Sequence, residues 1–212
     1  MVSILNLFNF ISSIIAIIAI FFPIVINIIA RKKSKNKFTK ELKLFEFFIY
    51  FTLIMQLLAI GLAKIVGVNN LIIFRIYLPV HLAIFSYLLI KWIWNKNSVL
   101  WSIIFFLISY LGDYITGNYN TPPNFMIWFD AILLSVLSFY LSYKNDKEKK
   151  YLPKEYTYIL IGIYLYSIIT VLGISPSFTD LRTYGFFFQG LAIIVSNYYF
   201  ARSFLCLYHS HG

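Results

Sequence analysis

Apolar side chains fall along this chain in seven long continuous runs, at residues 4–29, 44–66, 71–91, 98–116, 125–143, 157–174 and 184–207. None has the two-residue alternation of a barrel strand. Each approaches or exceeds the roughly 20 mainly apolar residues that carry a helix through a hydrocarbon core. The abundant isoleucine is no obstacle, because lipid obliges backbone groups to bond within their own segment. The pattern predicts an all-α protein, a polytopic transmembrane helix bundle of seven spans that fills residues 1–212 as a single transmembrane domain. The fourth run is the weakest, since it carries Gly112 and Asp113 near its end.

The links between the runs separate by charge. Residues 30–43 hold Arg31, Lys32, Lys33, Lys35, Lys37, Lys40 and Lys43, and residues 144–155 hold Lys144, Lys147, Lys149, Lys150 and Lys154. The short link 92–97 adds Lys96, just after Lys91. Between these lie 67–70, 117–124 and 175–183, whose only basic residue is Arg182. Basic and non-basic links therefore alternate. Since cytoplasmic loops carry the excess of lysine and arginine, the N-terminus is expected outside and the C-terminus inside. Trp92, Trp94 and Trp101 gather at the inner level this sets, and Trp128 stands near the outer one. Tryptophan favours both headgroup levels.

Composition narrows the classes further. The chain is 60% hydrophobic and only 12% charged, whereas a soluble domain is about 45–50% apolar and about 25% charged. That excludes an ordinary soluble enzyme and a disordered chain. The net charge of +10 would suggest nucleic acid in a soluble protein. Here the basic residues occupy links with no folded basic domain around them, so membrane lipid is the expected partner and nucleic acid is not. Cys206 is the only cysteine, and no Cys/His spacing suits zinc; His209 and His211 read as a solvated tail. The first residues lack the basic region and cleavage site of a signal peptide, so the first run is expected to stay in the membrane. No nucleophile elbow, P-loop, dinucleotide fingerprint or metalloprotease motif occurs. The seventh run has no lysine for a Schiff base. No cofactor is expected.

Ionisable groups inside spans are costly, by about 2.5–3.5 kcal/mol at a helix centre. Glu46 and Lys64, at opposite ends of the second run, are expected to reach water along their stems, and so is Asp113. Counting about 1.5 Å per residue from the span ends puts Arg75 about 6 Å deep, Asp130 about 8 Å and Gln189 about 9 Å. Matching depth predicts an Arg75–Asp130 contact with Gln189 as a further partner, either as a structural pair or as the floor of an outward-facing pocket. Gln56 and His81 come out near the midplane, about 15 Å deep. Tyr77 lies one turn before His81 on the same face. Pro79 between them removes a backbone donor and displaces the carbonyl of Arg75. The stretch RIYLPVH is thus the best local candidate for a site. Pro23 predicts a kink near Asn27, read as structural.

The segment NNLIIFRIYLPVHLAIFSYLL resembles the third span of small seven-span membrane proteins of Bacteroidota, which opens on an Asn-rich turn and reads aromatic-x-x-x-Glu. Tyr77 matches the aromatic, while His81 stands where that group has glutamate. The fifth run, FMIWFDAILLSVLSFYLSY, is similar to the same group's fifth, with Asp130 at an acidic position. The likeness implies the seven-span layout and a bacterial inner membrane; it implies no activity. SYLGDYI, with Asp113, resembles the Gly-Asp span of the lysoplasmalogenase-like membrane hydrolases. Those have eight spans and further acidic positions not located here.

Three functions follow. The first is a non-enzymatic sensor or accessory protein that binds a ligand or partner through Arg75, Tyr77, His81, Asp113, Asp130, Gln189 and Gln56. With links too short for a soluble domain, signalling would need a protein partner or a second copy. The second is a lipid hydrolase using Asp113, Asp130 and His81, although depth separates Asp130 from His81 by roughly 7 Å of rise. The third is a transporter or oligomeric pore, for which no inverted repeat is evident.

Overall fold

The computed structural model describes residues 2–33, 38–62, 71–94, 96–116, 123–174 and 182–209, with side chains from residue 14 onward except 16, 60, 173, 174 and 182–189. Among these residues the protein is all-helical: α1 (Val2–Lys33), α2 (Lys40–Gly61), α3 (Leu71–Trp94), α4 (Ser98–Thr116), α5 (Asn124–Glu148), α6 (Lys154–Ile174) and α7 (Arg182–His209). Each apolar run falls on one of these helices, the second continuing past Gly61 into residues outside the described ones. Among the described residues six helices, α2 to α7, contain segments long and apolar enough to cross a membrane. The chain is an integral membrane protein of helical type.

The helix ends follow local chemistry. Thr39 caps α2, its hydroxyl accepting from the amide of Leu42 at 3.3 Å. Pro123 and Pro153 precede α5 and α6, and their carbonyls accept from the amides of Ile127 and Thr157. Lys149 ends α5 in the left-handed conformation (φ 51°), where glycine is the usual residue. Asn97 starts α4 from the same region (φ 54°), which asparagine tolerates. Both α1 and α3 run through their prolines, Pro23 and Pro79.

The helices form two compact units. In the unit Thr39–Lys149, α3 packs on α2, α4 and α5, and α4 also meets α5. Leu88, Leu89 and Ile90 on α3 are all buried, as expected of a helix with neighbours on most sides. The outer helix α4 shows what solvent it faces. Its buried residues are Ser98, Ser102, Ser109 and Asp113, and Val99, Leu100, Ile103, Leu107, Leu111 and Ile115 are exposed. That is the reverse of a water-facing helix, and it is what lipid requires. Lys144 on α5 donates to the carbonyl of Ile93 in the last turn of α3, where a cation suits the helix dipole.

In the unit Met1–Phe38 with Lys150–Gly212, α7 packs on α1 and α6. Its buried positions include Ala192, Ser196, Ala201 and Ser203. Small residues let apolar helices approach in lipid. Opposite them on α6, a Cβ on Gly162 would lie 2.5 Å from the Phe200 ring and 3.2 Å from the carbonyl oxygen of Ser196. At the basic end, Phe38 stacks on Phe204 at 6.4 Å and the Lys33 ammonium sits 4.3 Å over the Tyr208 ring.

Gly162→Ala is expected to lower the unfolding free energy in detergent by about 1–3 kcal/mol through overpacking. Adding Phe200→Leu should recover part of the loss, and thermal unfolding of the single and double variants measures both.

Candidate functional site

The polar centre of unit Thr39–Lys149 is arranged by α3. Arg75 and His81 are six residues apart on that helix, which separates them by about 9 Å along its axis and about 120° around it. They must therefore face different neighbours. Arg75 reaches α4, where its Nε donates to Asp113 Oδ2 at 3.0 Å. His81 reaches α5, where its Nδ1 lies 2.8 Å from Asp130 Oδ2. Both pairs are buried, the His81 and Asp130 side chains being only 2% and 3% exposed. Taking a carboxylate or guanidinium out of water without a partner is costly, and a close basic or acidic partner offsets part of that cost.

Aromatic rings enclose the histidine. Tyr77, His81 and Phe85 stand at four-residue spacing and form one ridge of α3. Their ring centroids lie 5.6 Å apart for Tyr77 and His81 and 4.5 Å for His81 and Phe85. From α2, Phe48 approaches His81 at 5.5 Å and Phe85 at 4.5 Å, while Phe51 stacks on Tyr77 at 6.1 Å. The Tyr77 hydroxyl engages Thr52, and Asp130 is near enough to act on it electrostatically. The second oxygen of Asp130, Oδ1, is buried and has no hydrogen-bond partner among the described residues.

Several expectations are corrected by this geometry. Arg75 does not pair with Asp130, because Asp113 takes the guanidinium and Asp130 takes His81. Asp113 does not reach water at the end of α4; it is 4% exposed. Glu46, expected to do the same, is also buried. The inferred gap between Asp130 and His81 closes to 2.8 Å. Depths counted from span ends assume that neighbouring helices begin at one level, and a buried carboxylate selects its base by contact. Gln56 is half-buried on α2, one turn beyond Thr52. The side chain of Gln189 and all of Lys64 lie outside the described residues.

The surrounding groups Phe48, Thr52 and Phe85 are not among the sequence candidates. The i, i+4 aromatic spacing through His81 was the available signal for Phe85. Nothing in the sequence marks Phe48, since it acts on another helix. Next to Asp113, Gly112 serves packing: a Cβ there would collide with the Phe125 ring of α5. The arrangement holds an Arg–Asp ion pair and a His–Asp pair at separate contacts of one helix. It places the two carboxylates beside different bases.

Asp113→Leu leaves Arg75 buried without its carboxylate and is expected to cost about 3–5 kcal/mol. Arg75→Met together with Asp113→Leu should be markedly more stable than Asp113→Leu alone. Unfolding of the three proteins in the same micelles reads the coupling.

Comparison with family models, with curated proteins and with solved structures finds no match to this chain.

Proposed function

We propose that this protein is a non-catalytic, seven-span protein of a bacterial inner membrane, a sensor or accessory component that binds a ligand or partner at the polar end of α3 and α4. The carrying observation is the division of the buried charges into Arg75–Asp113 and His81–Asp130. Acid–base hydrolysis needs an acid and a base within hydrogen-bond reach of one substrate atom. Here each carboxylate already has its own basic partner on a different side of α3. Such pairs suit a bundle whose helices respond to what binds between them.

The topology supports an outward orientation for the Arg75–Asp113 pair. Arg75 lies near the start of α3 and Asp113 near the end of α4. The flanking links, 67–70 and 117–124, have no basic residue, while 92–97 and 144–155 at the other ends do. On the positive-inside bias the non-basic links face outward, with the N-terminus outside and the C-terminus in the cytoplasm.

Two measurements test this reading. In a Cys206→Ser background, cysteines at Lys37 and Asn118 should label from opposite sides of intact inner membranes, the second from outside; labelling of both from one side overturns the topology. Protein in lipid nanodiscs, given a vinyl-ether lysophospholipid, should release no aldehyde above the protein-free rate. Its thermal unfolding should rise by several degrees with at least one member of a panel of lysophospholipids and small organic anions. Aldehyde release that disappears in Asp113→Asn would replace the binding role with a hydrolase.

A further inference from the structure

Among the described residues, the segments long and apolar enough to cross a membrane carry two arginines, Arg75 on α3 and Arg202 on α7. Arg75 is buried against Asp113. Arg202 is exposed, and among the described residues no carboxylate pairs with it. Its contacts are aromatic. The Nη2 group donates to the Tyr158 hydroxyl of α6 at 3.3 Å, and the guanidinium carbon stands 5.4 Å from the centre of the same ring. A cation on the exposed side of a spanning helix is costly unless it reaches the headgroup level and meets an anion there. The anion that lipid itself supplies at that level is the phosphate. We propose that Arg202, with Lys154 and Tyr158, seats the phosphate of an anionic phospholipid in the leaflet at the lysine-rich end of α6 and α7.

The position suits a headgroup. Arg202 lies seven residues before the end of α7, and Tyr158 lies four residues into α6. At the helical rise these are about 10 Å and about 6 Å from the helix ends, within reach of the interface for a long cationic stem. The hydroxyl of Tyr158 takes one N–H donor of the guanidinium, and its ring steadies the cation. The other donors of the planar fork stay open, and their spacing matches two oxygens of one phosphate.

The neighbours give the seat its sign. Lys154 is exposed at the first position of α6, one turn before Tyr158 on the same ridge. Arg202 and Lys154 both act electrostatically on Cys206, one turn beyond Arg202, so the two cations surround one spot. Glu155 acts on the same thiol with the opposite sign. Two cations against one carboxylate leave an excess of positive charge, which favours a lipid of net negative charge over a zwitterionic one. Tyr198, one turn before Arg202, is 50% exposed. It lies deeper in the span, where the acyl chains of a lipid held at Arg202 pass. The seat belongs to α6 and α7, apart from the polar contacts of α3, and it is a defined contact beyond the general attraction of the lysine-rich links.

The test titrates the full chain, in neutral detergent micelles, with dioleoylphosphatidylglycerol and reads the first bound lipid by native mass spectrometry. Arg202→Gln should weaken that binding by about fivefold, the size expected for one basic residue at an anionic membrane surface. Arg202→Lys, which keeps the charge and loses the fork, should fall between. Lys147→Gln, at an exposed lysine of α5, should change it far less. Dioleoylphosphatidylcholine should bind more weakly than phosphatidylglycerol, and added inorganic phosphate should leave the lipid in place. Unchanged affinity in Arg202→Gln overturns the proposal, as does equal weakening by Lys147→Gln, which would reduce the effect to general surface charge. Equal binding of phosphatidylcholine overturns it too, and displacement by inorganic phosphate replaces the lipid with a free anion. If Arg202→Gln does not fold, Lys154→Gln decides: weaker phosphatidylglycerol binding than in Lys147→Gln supports the seat, and the same binding removes it.

Discussion

Lipid offers a side chain no hydrogen bond, and that constraint organises every described part of this protein. An ionisable group on a spanning helix is costly unless it meets a partner inside the protein. On α4 the consequence is visible residue by residue: three serines and Asp113 turn inward while leucine, isoleucine and valine turn out. Ser102 helps itself locally, donating to the carbonyl of Val99 at 2.8 Å. Asp113 has no such local outlet and requires a cation on another helix, which Arg75 provides.

The same constraint makes α3 the organiser of its unit. Its Arg75 and His81 side chains point about 120° apart, so that one helix reaches a carboxylate on each of two neighbours. Its aromatic ridge of Tyr77, His81 and Phe85 meets the rings of α2. Van der Waals packing is weakly selective when lipid tails compete for the same apolar surface. The charged contacts therefore specify which helices α3 meets, and the apolar contacts complete the fit. In the other unit the specifying elements are small residues: Gly162 admits Phe200 and the carbonyl of Ser196, and Ser167 bonds its own helix at Ile163.

Much of this was legible before any coordinates. Long apolar runs predict helices because the bilayer permits little else, and Arg75, His81, Asp113 and Asp130 stood out because apolar neighbours make each of them expensive. Tyr77 could be placed on the histidine's face from spacing alone. The pairing could not. Arg75 and Asp130 came out at matching depth only because both were counted from span ends, whereas α3 and α5 meet with His81 and Asp130 side by side. Asp113 looked like a span-end residue able to reach water, and its burial depends on α3 lying against that face of α4.

The amino-acid sequence by itself determined the helices, the segregation of basic links and the set of polar residues that needed a partner. These are properties of single segments in a low-dielectric solvent, where composition and length decide the outcome. The tertiary structure alone decided which carboxylate meets which base, that Glu46 is buried, and that Phe48 and Phe85 enclose His81. Those contacts depend on the rotation and axial offset of neighbouring helices. Both are set by how two surfaces fit together, and neither is written in the periodicity of one helix.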